Sequence, residues 1–422
     1  MHICFAIDSM HGGGAELSCL IYTQALLDRG HKVDLALLEF HGHRLGDIPE
    51  SASLFALDQK FKNKSSSPAR QFGETHWIKA SRSLSSLIRY LKAIRFSGSN
   101  RMPFRWRQFR WTVAMADYID QEKPDLIYAN LFHAGAVSIL ARRISGEKIP
   151  IVWAARNHSQ SVMNLRNLQQ YEYLAPHADA IHANSKGVAE NERKLIPANR
   201  NKVVSIYNPV KPDIHKLAAQ PVSELSGVFA NSSARNSDSE KKTYVVLAAG
   251  RLIKQKNFAM LIRAVAQSRQ KKDIRLIILG EGPQRQFLES EAKKAGIENH
   301  LSMPGWTPNP YSYMSKSDLF VLCSNHEGFP NVLLDALASG CPVVSTDCPH
   351  GPREILEDGQ WGRLTPVDDH IALSNAITEA LDRSVDRDSL RGRAAEFTVD
   401  TSASQLEQLF KITAHEFNAN PA

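Results

Sequence analysis

The sequence predicts an α/β fold of two Rossmann-like domains, and three observations predict it. A chain of 422 residues, 43% apolar and 23% charged, has room for two or three ordinary globular cores. Short β-rich runs alternate with helix-length stretches in two successive series. A Ser/Ala/Asn-rich stretch without a periodic apolar face, residues 216–242, separates the series. The first series runs HICFAI, a helix from about Ala15 to Arg29, VDLALLEF, SLFAL, DLIYA, IPIVWAA, DAIHAN and VVSIY. The second runs TYVVLAAG, IRLIILG, HLSMPG, DLFVLCS and CPVVST. Strands spaced by helices call for parallel βαβ units with helices on both faces of each sheet. The expected division is a first domain over 1–210, a linker or disordered insertion over 211–242, and a second domain over 243–399. A terminal helix at about 400–418 is expected to return to the first domain.

This composition excludes collagen, disorder and small disulfide scaffolds. Cys4, Cys19, Cys323, Cys341 and Cys348 lie mostly inside apolar runs, with no CxxC pair and no even spacing, so a reducing cytosol is expected. The opening MHICFAIDSM has no basic segment ahead of an apolar stretch, and no window approaches ~18 uninterrupted apolar residues, so neither a signal peptide nor a spanning helix is expected. The net charge of +7 conceals an asymmetry: residues 60–111 hold 13 Lys/Arg against the single acid Glu74, which leaves the remainder at −5. Trp77, Tyr90, Phe96, Phe104, Trp106, Phe109 and Trp111 interleave with those cations, and Leu84, Leu87, Ile88, Leu91 and Ile94 recur at helical spacing. That mixture suits an anionic membrane surface better than nucleic acid, for which no known module is visible; packing on the first domain is the plainer alternative.

Three motifs sit where strands hand over to helices. His11-Gly12-Gly13-Gly14-Ala15-Glu16 follows the first strand, where glycines let backbone approach a ligand and helix-start amides favour negative charge; the spacing is not GxGxxG, and a tight turn without a ligand is the alternative. Gly250-Arg251-Leu252-Ile253-Lys254-Gln255-Lys256-Asn257 holds the equivalent place in the second series. It is no P-loop, yet Arg251 and Lys256 suit a diphosphate there, against the alternative of a solvated basic turn. The third stretch runs from Ser324 through His326, Glu327, Gly328, Phe329, Pro330 and Asn331 to Asp335, Gly340 and Pro342. Glu327 falls in a strand-to-helix loop, with Pro330 in the helix's first turn and Asp335 inside the helix.

The order GGGAE, GRLIKQKN, LGEGP, MPGW and SNHEGFPNVLLDALASGCPVVSTDCPHGPREIL resembles glycosyltransferase family 4, most strongly from Tyr244 to Thr365. The resemblance implies a GT-B architecture, two Rossmann-like domains with parallel sheets facing a central cleft. It also implies transfer of a sugar from a nucleoside diphosphate with retention of configuration, without metal or cofactor. In the family two acids eight positions apart contact the donor. They map onto Glu327, at the sugar, and Asp335, at the ribose, where this chain has the shorter Asp for the usual Glu. A solvated helix residue is the alternative for Asp335. By resemblance Arg251 and Lys256 bind the diphosphate, and Gly13, Gly14, Gly328, Phe329 and Asn331 belong to the donor site.

On the acceptor side, PDLIYANLFHAG resembles the stretch where many members place a histidine. That place is Asn130 here, and His133, three residues later, is the candidate for acceptor contact and catalysis, or else a packing residue. Arg156 ends another strand and is the candidate partner of an acceptor phosphate, or else a structural ion pair. The expected protein is a hexosyl- or N-acetylhexosaminyltransferase using a UDP-sugar. It would extend a lipid-linked glycan in bacterial surface-polysaccharide assembly, as a peripheral protein on the inner face of the cytoplasmic membrane. A nucleotide-sugar epimerase or phosphorylase on the same fold, and a non-catalytic nucleotide-sugar-binding subunit, are the competing classes.

Overall fold

The computed structural model describes residues 1–57, 75–77, 90, 106–156, 163–222 and 242–419, which divide into two compact units, Met1–Pro209 with the C-terminal residues from Val399, and Val210–Thr398. The first unit contains β1 (His2–Ile7), α1 (Gly14–Asp28), β2 (Lys32–Leu37), β3 (Ser53–Ala56), β4 (Thr75–Trp77), α2 (Trp106–Glu122), β5 (Leu126–Asn130) and α3 (Leu131–Ser145). It continues with β6 (Ile151–Ala155), α4 (Leu165–Leu174), β7 (Ala180–Ala183), α5 (Lys186–Leu195) and β8 (Val203–Ser205). Its described strands form one parallel sheet in the order β4-β3-β2-β1-β5-β6-β7-β8. The continuous apolar reading of β1 has a direct cause. Cys4 and Ala6 enter the apolar layer on one face of the sheet while Ile3, Phe5 and Ile7 enter the layer on the other, so both faces are covered.

The C-terminal helix Val399–Ala419 belongs to this first unit. Its Ala403, Leu406, Leu409 and Phe410 complete the second apolar layer, with the Phe410 ring 5.2 Å from that of Tyr128. At its start, Arg29 donates to Asp400 Oδ1 at 2.6 Å and to Glu407 Oε2 at 3.3 Å.

The second unit opens with α6 (Ile214–Ala218), inside the stretch expected to be linker: Ile214, Ala218 and Val222 are buried, and Ser315 Oγ donates to Ala218 O at 2.7 Å. The folded part of that stretch therefore runs through Val222, and residues 223–241 lie outside those described. There follow β9 (Thr243–Ala249), α7 (Phe258–Ser268), β10 (Asp273–Leu279), α8 (Arg285–Lys294), β11 (Leu301–Gly305), α9 (Tyr311–Lys316) and β12 (Leu319–Leu322). Next come α10 (Asn331–Ala338), β13 (Val343–Thr346), α11 (Pro352–Ile355), β14 (Arg363–Thr365), α12 (His370–Asp382) and α13 (Arg387–Ala394). The sheet is parallel, in the order β11-β10-β9-β12-β13-β14. Strand order reverses between β9 and β12 here and between β1 and β5 in the first unit, which is where open α/β sheets receive ligands.

Candidate active site

Two loops leave the central strands of the second unit side by side, Gly250–Asn257 after β9 and Ser324–Pro330 after β12. Neutral hydrogen bonds join them: Asn325 N donates to Gln255 O at 2.8 Å, Gln255 Nε2 to His326 O at 2.9 Å, and Asn257 Nδ2 to Asn325 Oδ1 at 2.8 Å. Asn257 takes φ +49° at the start of α7, a left-handed turn that Asn tolerates better than most side chains. The turn sets Lys256 toward the neighbouring loop. Lys256 Nζ donates to Glu327 Oε1 at 2.6 Å, and Ser324 Oγ donates to the same oxygen at 2.6 Å. Glu327 is only 6% exposed, so the pair is largely dry, and these charge-assisted bonds offset the desolvation of the carboxylate. Both donors fall on Oε1, which leaves Oε2 without a hydrogen bond among the described residues.

The backbone of Glu327 is held as firmly. Its N–H donates to Pro349 O at 2.6 Å, its carbonyl accepts from His350 N at 2.9 Å, and Thr346 Oγ1 donates to Ser324 O at 2.7 Å. Gly328 and Phe329 are buried; Asn331 begins α10 half-buried, and Pro330 stands one residue before the helix rather than in its first turn. Asp335 is 8% exposed, which removes the solvated-helix alternative. Arg251 stands exposed on its loop, with no ion-pair partner among the described residues. The structure thus joins Lys256 and Glu327 directly and sets Gly328, Phe329, Asn331 and Asp335 on the continuation of the same segment. Ser324 lies inside the motif, but the sequence carries no sign of its bond to Glu327: a serine at a strand end reads as a turn residue until the carboxylate is seen folding back on it.

In the first unit the C-terminal ends of the strands carry a separate polar network. Arg156, 5% exposed, donates to Asn208 Oδ1 at 2.6 Å, to Tyr128 Oη at 2.7 Å and to Asn130 Oδ1 at 3.0 Å. Each of these acceptors is neutral, so the structure does not show the ion pair given above as the alternative for Arg156. Its Nε is buried without a hydrogen-bond partner among the described residues. Tyr128 Oη lies 2.6 Å from His182 Nδ1, and His182 Nε2 lies 2.9 Å from Ile206 O. That carbonyl can only accept, so Nε2 carries the proton. Burial foremost, then Arg156, pushes the imidazole of His182 down to about 3. Asp8, just after β1, accepts from Ala134 N at 3.0 Å, and burial foremost pushes its carboxyl up to about 7. Gly13 is the N-cap of α1 and Gly14 its first residue. His133 is half-buried on α3, its ring 6.1 Å from Trp111 and 5.0 Å from Phe132. Tyr128 inside β5, His182 inside β7 and Asn208 after β8 escaped sequence reading because each stands as a single polar side chain beside apolar ones, with no motif around it.

Of residues 60–111, most lie outside those described. Tyr90, Phe109 and Trp111 are buried in the core of the first unit, and Arg107 pairs with Glu39 while covering the Trp111 ring at 4.7 Å. These three aromatics therefore pack on the domain, as the plainer alternative holds for them. Among the described residues no group of three or more His, Cys, Asp or Glu side chains could hold a metal ion, and no helix is long and apolar enough to cross a membrane.

Solved structures with this architecture include Anabaena HepE in complex with UDP and glucose, 22% identical, TM-score 0.71, over 97% of this chain and 99% of that one. Another is WaaG, a glycosyltransferase involved in lipopolysaccharide biosynthesis, 15% identical, TM-score 0.64, over 97% and 99%. Two parallel-sheet α/β units of this kind are the GT-B fold of glycosyltransferases. Residues 12–214 match the family described as Glycosyltransferase Family 4, and residues 231–397 match Glycosyl transferases group 1. The chain belongs to glycosyltransferase family 4.

Among curated relatives, a Campylobacter jejuni N-acetylgalactosamine-N,N'-diacetylbacillosaminyl-diphospho-undecaprenol 4-alpha-N-acetylgalactosaminyltransferase is 33% identical over 57% of this chain and 60% of its own length. The lipopolysaccharide core biosynthesis glycosyltransferase LpsE of Rhizobium meliloti is 32% identical over 39% and 46%. The matched stretches thus span less than two thirds of these relatives.

Proposed function

We propose that this chain is a retaining glycosyltransferase that moves a hexose or N-acetylhexosamine from a UDP-sugar onto a lipid-linked glycan in surface-polysaccharide assembly. The observation that carries the reading is the Glu327 carboxylate, pinned through one oxygen by Lys256 and Ser324 at the switch point of a six-stranded parallel sheet. Its Oε2 takes a donor-sugar hydroxyl. Lys256 Nζ has three protons, so it serves a diphosphate oxygen as well as Glu327. Arg251 supplies the second cation, Asp335 accepts from the ribose, and the backbone around Gly328, Phe329 and Asn331, with Gly13 and Gly14, completes the donor site. His133 and Arg156 serve the acceptor.

In the reaction the acceptor oxygen bonds to the anomeric carbon on the side from which the bond to the β-phosphate oxygen breaks. The acceptor proton passes to that phosphate oxygen, and the nucleoside diphosphate leaves. Neither an enzymic nucleophile nor a metal has a step in this scheme; the protein positions the reactants and stabilises charge. The relatives named for undecaprenyl-diphosphate and lipopolysaccharide glycans support the acceptor class. The basic segment 60–111 supports attachment to the inner face of an anionic membrane.

Glu327→Gln tests the reading. The variant keeps the fold and binds UDP, while kcat falls on the order of 10²-fold or more. Turnover at the wild-type rate would remove Glu327 from the chemistry.

A further inference from the structure

Arg393 of α13 is 7% exposed. Its Nε donates to Ile355 O at 3.0 Å and its Nη2 to Glu354 O at 2.9 Å, so it holds the last carbonyls of α11. Its Nη1 pairs with Glu357 at 3.0 Å and with Glu396. The guanidinium also lies 4.9 Å from the Phe397 ring centroid, and that ring stands 5.7 Å from the ring of Phe329. Two routes therefore run from Arg393 to one loop. The first passes through Phe397 to Phe329. The second passes through α11 to the turn before it, where Pro349 and His350 bond both sides of the Glu327 peptide.

Gly351 joins that turn to α11 at φ +93°. A Cβ there would stand 2.7 Å from Pro330 Cδ and 2.9 Å from Gly328 O, so loop and turn are packed backbone against backbone. The segment carrying Glu327, Gly328 and Phe329 is thus held from two sides, and both supports end on one guanidinium. Its planar fork gives three directed bonds and a face to the ring at once, which a lysine ammonium cannot reproduce.

From this we infer that Arg393 and Phe397 are positioning residues for the donor loop: they touch no reacting group and fix the conformation in which Glu327 and the Gly328–Asn331 backbone meet a nucleotide sugar. The inference rests on the donor role proposed above for that loop. Phe397 also lies one residue before the end of the second unit, and its carbonyl accepts from Val210 N, the first residue of that unit, at 2.8 Å. The support is therefore tied to both points where the chain passes between units.

The test combines hydrogen exchange and UDP binding on the full chain, for Arg393→Lys, Phe397→Leu and Phe397→Tyr, with exchange of β9 certifying that each is folded. In the ligand-free protein, the amides of residues 327–331 should exchange about tenfold faster in Arg393→Lys and Phe397→Leu. UDP affinity should fall by a similar factor, the scale of one aromatic or cation–ring contact, while Phe397→Tyr keeps wild-type values. Unchanged exchange at 327–331 overturns the inference, and so does UDP affinity within twofold of wild type in the two disruptive variants, or Phe397→Tyr behaving like Phe397→Leu. If wild-type protein binds no UDP, the donor reading fails, and the positioning claim stands or falls on exchange in the ligand-free protein alone. Should Phe397→Leu lose β9 protection, Arg393→Lys decides.

Discussion

At the scale of single residues, the second unit is organised by a charge that cannot be left unpaired. Glu327 is buried, so the cost of its carboxylate depends on Lys256 Nζ and Ser324 Oγ. Lys256→Met should destabilise the protein by about 3 kcal/mol in urea unfolding, and adding Glu327→Gln should recover most of that loss, because the orphaned charge disappears with it. Independent, additive effects would mean the two side chains do not interact.

His182 gives a pH dependence with a definite sign. Its folded pKa lies at about 3, below the ordinary 6.5, so the unfolded chain binds the extra proton. Stability from this group is complete above pH 6.5 and is lost as pH falls from there toward 3, with a slope approaching about 1.4 kcal/mol per pH unit for that one proton. The cause is physical: an imidazolium would be a second buried cation beside Arg156. His182→Gln should flatten this part of the unfolding profile between pH 6.5 and 4.5; an unaltered profile would place the acid loss elsewhere.

At the scale of elements, the strands were legible because a parallel sheet covered on both faces demands unbroken apolar runs, and the helices because they begin at strand-end loops. Which helix meets which strand was not legible. Trp153 in β6 and Gly135 in α3 read as a strand aromatic and a helix glycine with no visible relation. In the folded unit a Cβ on Gly135 would fall 1.8 Å from Trp153 Cε2, and the indole Nε1 donates to Leu131 O at 2.9 Å. Gly135→Ala should therefore cost about 1–3 kcal/mol by overpacking, although Ala is the better helix former. A stabilised variant in chemical denaturation would show that α3 moves aside freely. The α6 segment makes the same point in reverse: its composition reads as linker, yet Ile214 and Ala218 are buried, because a one-turn apolar patch suffices when a neighbouring helix already offers a surface.

At the scale of the whole molecule, charge is unevenly placed, with net +12 in residues 60–111 against −5 elsewhere. Liposome co-sedimentation should require anionic lipid and weaken with salt, since each cation near such a surface contributes about 1 kcal/mol and is screened within a Debye length. Arg107 is a poor probe, because its pairing with Glu39 and its contact with Trp111 give it a structural role. Arg95, Arg101 and Arg105 changed together to Glu should abolish binding in a folded variant. Equal binding to neutral vesicles would reject the electrostatic mechanism.

The sequence by itself determined the fold class, the two βα series and the family, because periodicity and strand-to-helix punctuation are local properties of the chain. Tertiary structure alone decided which oxygen of Glu327 is already occupied, that Arg156 rests on neutral acceptors, that Tyr90, Phe109 and Trp111 are core, and that Arg393 meets Phe397, whose ring faces Phe329. Arg156 and Asn130 stand 26 positions apart and Lys256 and Glu327 stand 71 apart, and such pairs meet only where strand order brings distant loops to one end of a sheet. A side chain's chemistry can be read from its type, but its charge balance and burial depend on neighbours that the linear order does not list.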